Sequence, residues 1–144
     1  MEKGEEKLTG EINFRGGVLF HAAAGSGHTV NIEGPSEAGE SNGFRPMELM
    51  LLGLGGCMAL DVLLILQKMR QEVTSYTLRL KGERAEDPPK VYTAVDMEHI
   101  FQGPNLKAQS VQRAIDLAEQ TYCSASAMFA KTARITNSFR ILEG

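Results

Sequence analysis

The order of elements legible in the sequence predicts an α+β fold with mostly antiparallel sheets. Three observations carry that reading. The first third alternates in short runs broken by Gly-rich turns, RGG at 15–17 and GSG at 25–27. One long apolar segment follows Pro46. Beyond it, two alternating runs flank the turn AEDPP, and an amphipathic segment precedes a last alternating run.

Residues 8–14, 18–22 and 29–33 are the first candidate strands, and their glycine turns suit a meander. Segment 34–44, GPSEAGESNGF, is polar and reads as a surface loop. Pro46 then opens a helix, where a missing N–H costs nothing, and Glu48 complements the positive end of the helix dipole. The helix is expected to reach about Glu72, roughly 26 residues or about 39 Å. From Leu49 to Leu66 it is apolar on every side apart from Asp61, so it should be buried all round, with at least one side covered by a second subunit. A membrane span is not expected: the uninterrupted apolar run Leu49–Leu60 is only 12 residues.

Two strands follow. Residues 73–84 place Tyr76, Leu78 and Leu80 on one face, and residues 90–101 place Val91, Thr93 and Val95 on one face. A second helix over 107–122 carries an apolar stripe of Val111, Ile115, Ala118 and Tyr122. Cys123 ends it, 124–131 reads as a further helical turn, and 133–142 is the closing strand.

The 144 residues suit a single domain over 1–144, large enough to fold without a disulfide or metal. A net charge of -3 with no basic stripe argues against nucleic-acid binding. The charged start MEKGEEK is no signal peptide, which points to the cytoplasm. Two distant cysteines in such a chain are no disulfide framework, and no His or Cys pair has zinc-type spacing, so no metal is expected.

Chemistry therefore rests on Cys57 and Cys123. Cys57, in GLGGCMALD, is either a small core residue or a thiol exposed by the glycines at 53, 55 and 56. Asp61, one turn on, would raise its pKa and reads as a hydrogen-bonded buried polar group. Cys123 precedes a helical turn whose N–H groups would favour thiolate; the alternative is a helix-end core residue with Ser124 and Ser126 as caps. Glu48 lies nine residues before Cys57, about half a turn out of phase, and could serve it only if the helix breaks at Gly53 or Gly55. Arg15 and Arg45 are loop arginines beside glycine-rich turns, and the three histidines receive no role.

At these residues the chain resembles the OsmC/Ohr family of osmotically inducible and organic-hydroperoxide-resistance proteins. The stretches RPMELMLLGLGGCMALDVLLILQK, ERAEDPPKVYT and RAIDLAEQTYCSASAM carry the likeness, closer to its OsmC-like branch. The resemblance implies an intertwined homodimer around the long helices and a thiol peroxidase serving oxidative or osmotic stress defence. Cys57 would be the peroxidatic cysteine and Cys123 the resolving one. The substrate would be an organic hydroperoxide held by apolar walls offered by Met50, Leu54, Met58 and Phe129. A dithiol, typically a lipoylated protein, would be the reductant; no metal, flavin or haem is implied. The family's peroxidases pair an Arg and a Glu beside the first thiol. Aligning on Pro46 and Cys57 puts Met47, not Glu48, at the glutamate position, and Arg15 and Arg45 are the nearest stand-ins for the arginine. The rival reading is a dimeric binding protein that holds an apolar small molecule, its cysteines inert.

Overall fold

The computed structural model describes residues 7–35 and 41–143. Most of the expected surface loop, 36–40, lies outside them. The chain divides into two compact units, Met1–Met50 and Leu51–Gly144.

The first unit is a meander of β1 (Gly10–Phe14), β2 (Leu19–Ala24) and β3 (Thr29–Glu33), all antiparallel. Gly16, Gly17 and Gly27 take positive φ (108°, 56° and 95°), the conformation these turns need and other residues resist. Residues beyond the undescribed stretch return to β3: Phe44 N–H donates to Asn31 O at 2.8 Å, and Glu33 N–H to Phe44 O at 2.9 Å. Gly43 allows that approach, since a Cβ there would sit 2.8 Å from the Asn31 carbonyl.

Helix α1 spans Pro46–Lys68. It stops four residues short of the expected Glu72 because Arg70 turns left-handed (φ 61°) and Gln71 N–H donates back to Leu66 O. Leu54, Met58, Val62 and Leu66 recur every fourth residue and are fully buried. Gly55 faces β4, where a Cβ would overlap Leu80 Cδ1. The other side is not covered: Met50, Leu52, Leu60 and Leu64 remain about half exposed in the single chain. Burial all round is therefore not met within one chain. By length and composition α1 is also apolar enough to cross a bilayer, contrary to the count of uninterrupted residues, but its buried stripe belongs to the core of the second unit.

That unit's sheet has the order β4 (Ser75–Arg84), β5 (Tyr92–Gln102), β6 (Arg134–Leu142). β4 and β5 pair antiparallel, while β6 returns parallel to β5 through a helical crossover. Tyr76, Leu78 and Leu80 share the inner face as expected. Val91 and Thr93 do not: both are exposed, and Tyr92 is buried instead. A bulge between Glu83 and Arg84 pairs Glu83 with Ala94 and Arg84 with Tyr92, leaving Thr93 over and reversing the alternation from there on. Beyond it Val95, Met97, His99 and Phe101 point inward.

The crossover is α2 (Ala108–Leu117), a π-helical turn (Ala118–Tyr122) and α3 (Ser124–Phe129). Val111, Ala114, Ile115 and Ala118 are buried, but Tyr122 leaves the stripe and is 59% exposed. The π turn is the cause: Cys123 N–H reaches back five residues to Ala118 O at 2.7 Å, and the extra residue rotates Tyr122 outward.

Candidate thiol site

The π turn also delivers Cys123. With extended backbone (φ -75°, ψ 106°) it is the N-cap of α3, and its Sγ accepts the Ser126 N–H at 3.3 Å. A thiol thus stands where a hydroxyl or carboxylate usually caps a helix. Ser126, expected as a cap, is instead a buried donor to that sulfur.

Opposite it, Cys57 and Asp61 lie one helical turn apart on the same side of α1. Cys57 Sγ, an Asp61 carboxylate oxygen and Cys123 Sγ all lie within 4.8 Å of one another. Both are free thiols, Cys57 half-buried and Cys123 buried. Cys123 is pushed up to about 11: burial is the main cause, the Ser126 N–H pulls the other way, and Cys57 and Asp61 push further upward. The helix end was expected to make Cys123 reactive; one N–H bond does not outweigh desolvation and two acidic neighbours.

Asp61 also borders a cavity of about 320 Å³, lined further by Leu64, Ile65, Lys68, Leu117 and Tyr122. Met50, Leu54, Met58 and Phe129 do not line this cavity. Leu54 and Met58 are fully buried core residues with no free surface to offer. Phe129 is half-buried and packs on Tyr92, ring centroids 5.5 Å apart, and Met50 is exposed. Tyr122 became a wall through the π turn, a feature the sequence pattern does not announce.

Arg15 and Arg45 are exposed residues of the first unit. Arg45 N–H donates to Glu48 Oε1 at 2.9 Å, closing the first turn of α1. Since α1 runs unbroken through Gly53 and Gly55, Glu48 keeps this capping role.

One polar group was missed. His99 is fully buried between Tyr76, whose hydroxyl lies 2.6 Å from Nδ1, and Asn137, whose Oδ1 lies 2.8 Å from Nε2. The Asn137 amide donates in turn to Glu119 on the π turn. Burial holds His99 below its usual pKa, partly countered by the Asn137 bond. A histidine on the inward parity of β5 was the available signal.

A half-buried thiol on a long apolar helix, within 4.8 Å of a second thiol at a helix N-cap, in an α+β fold, defines a class of paired-cysteine proteins. The chain belongs to the OsmC-like protein family, whose sequence profile matches residues 39–138. It is 37% identical to protein YhfA of Escherichia coli K12 over 126 residues, 88% of this chain and 92% of that one. A protein from Aquifex aeolicus has the same fold (TM-score 0.86, 27% identity, 97% of this chain and 99% of that one). So has a Legionella pneumophila protein described as an organic hydroperoxide resistance protein OsmC (TM-score 0.72, 15% identity, 95% and 98%). That last likeness bears on fold alone.

Proposed function

We propose that this protein is a thiol peroxidase for organic hydroperoxides, working as a homodimer. The observation that carries the reading is the approach of the Cys57 and Cys123 sulfurs to within 4.8 Å, from two helices distant in sequence. The Cys57 thiolate attacks the distal oxygen of ROOH. The O–O bond breaks, ROH leaves with a proton, and Cys57 becomes a sulfenic acid. The Cys123 thiolate attacks that sulfur, an S–S bond forms, and the hydroxyl leaves as water. An external dithiol, in the family typically a lipoylated protein, reduces the disulfide and is itself oxidised. Cycling of this kind suits a reducing compartment such as the cytoplasm.

Support for the dimer comes from the half-exposed apolar face of α1, which a second copy would cover. Support for an organic substrate comes from the apolar cavity beside Asp61. The same cavity favours the second reading, a small-molecule binder with inert thiols. The test is one equivalent of cumene hydroperoxide followed by non-reducing peptide mapping. The proposal expects a 57–123 link within one chain, and a Cys123→Ser variant that stops at sulfenic acid after one turnover. Links only between chains, or none, would sink the resolving role. Arg15→Ala and Arg45→Ala ask whether either arginine supports the thiolate; the one that does should slow the peroxide step.

A further inference from the structure

We propose that Cys57, Asp61 and Cys123 form a binding site for a soft divalent cation, zinc above all, which holds the thiol pair reduced and blocked. Three ligand atoms from three side chains converge within 4.8 Å of one another. Tetrahedral zinc, with Zn–S near 2.3 Å and Zn–O near 2.0 Å, needs ligand atoms separated by roughly 3.5–3.8 Å. The gap between 4.8 Å and that spacing is about 1 Å, a distance side-chain rotation can supply. Cys57 and Asp61 sit at i and i+4 on one helical face, a spacing that lets two side chains grip one ion. The donor set of two thiolates and one carboxylate selects zinc over calcium or magnesium. Three protein ligands leave a fourth position for water, and the cavity bordered by Asp61 gives an entry path.

Two further features fit. The Ser126 N–H already donates to Cys123 Sγ, the outer hydrogen bond that orients a ligating thiolate. Asp61, which the peroxide chemistry does not use, places a carboxylate oxygen beside both sulfurs, so three potential anionic ligands share one small volume. A divalent cation binds both sulfurs as thiolates and the carboxylate, and any proton still on either sulfur passes to solvent. No electron moves. A coordinated pair offers no free thiolate to peroxide, and a 57–123 disulfide removes two of the three ligands. Binding and oxidation are therefore mutually exclusive, each opposing the other equally.

The test is titration of reduced, metal-free, full-length protein with Co²⁺, reading thiolate-to-cobalt charge-transfer absorption, then displacement by Zn²⁺. The expected result is one ion per chain, bound through sulfur and displaced by zinc as the stability order requires. Asp61→Asn, nearly isosteric, should weaken binding by about tenfold to a hundredfold. The oxidised wild type should bind none, a comparison needing no variant. Absence of the charge-transfer band, equal binding by the disulfide form, unchanged binding in Asp61→Asn, or retention of the ion by a Cys57→Ser/Cys123→Ser double variant would overturn the site. The titration of reduced protein and its variants involves no oxidation, so the site stands or falls there separately from the peroxidase reading, and the disulfide comparison is made on protein in which peptide mapping has found the 57–123 link.

Discussion

Raising the pH from 7 to 9 is expected to speed closure of the 57–123 disulfide about a hundredfold once Cys57 has been oxidised. The Cys123 thiol is pushed up to about 11, chiefly by burial and less by Asp61 and by Cys57 in its reduced form. With that pKa, roughly one Cys123 in ten thousand is thiolate at pH 7 and roughly one in a hundred at pH 9. The thiolate is the attacking species, so the closure rate follows its population, about tenfold per pH unit until it levels near 11. Asp61→Asn removes one upward push and should move the whole curve to lower pH, quickening closure at pH 7. The assay loads Cys57 with one equivalent of hydroperoxide in a stopped flow. Surviving sulfenic acid is then trapped at intervals, so that formation and decay are read apart. A decay rate flat between pH 6 and 9 would refute the reasoning, as would slower closure in Asp61→Asn.

Asn137→Ala strips the acceptor from the buried His99 Nε2–H and should cost about 1–3 kcal/mol by thermal or urea unfolding. His99 is held below its ordinary 6.5 in the fold, so below 6.5 the unfolded chain binds more protons and stability falls as pH falls. The variant loses the one influence that raises this pKa, so its acid sensitivity should reach to lower pH; an unchanged acid limb counts against the network. Gly103→Ala would drive a Cβ into the Glu72 carbonyl oxygen, backbone that cannot rotate away, and should destabilise by about 1–3 kcal/mol in urea. Leu60→Glu places a charge on the half-exposed side of α1. Sedimentation should show the wild type at twice the chain mass and this variant at one; a wild-type monomer at low micromolar concentration would remove the dimer.

Much of the architecture was legible because its signals are local. Pro46 and Glu48 mark the start of α1 as they should, and both β4 and the first part of α2 show the periods that fold them. What escaped has a common cause: single residues that change phase. The extra Thr93 flips one end of β5, the π turn rotates Tyr122 outward, and Arg70 ends α1 early by turning left-handed. None of these alters composition, so a periodicity count passes over them. The site divides the same way. Cys57 and Cys123 were singled out from their helix contexts, and the spacing of Asp61 to Cys57 was visible. Their convergence depends on how a π turn aims Cys123, a tertiary fact. Leu54 and Met58 belong to the buried stripe of α1, whereas the cavity beside Asp61 uses Leu64, Ile65 and Lys68, a division that helical periodicity alone does not draw.

As a peroxidatic thiol suited to organic hydroperoxides, Cys57 should react with them directly. The measurement that tests it most directly is stopped-flow oxidation of the reduced protein by cumene hydroperoxide and by hydrogen peroxide, with Cys57→Ser as the control. Oxidation should run well above the free-thiol rate, faster with cumene hydroperoxide than with hydrogen peroxide, and be absent in Cys57→Ser. Rates no faster than a free thiol for both peroxides would contradict it.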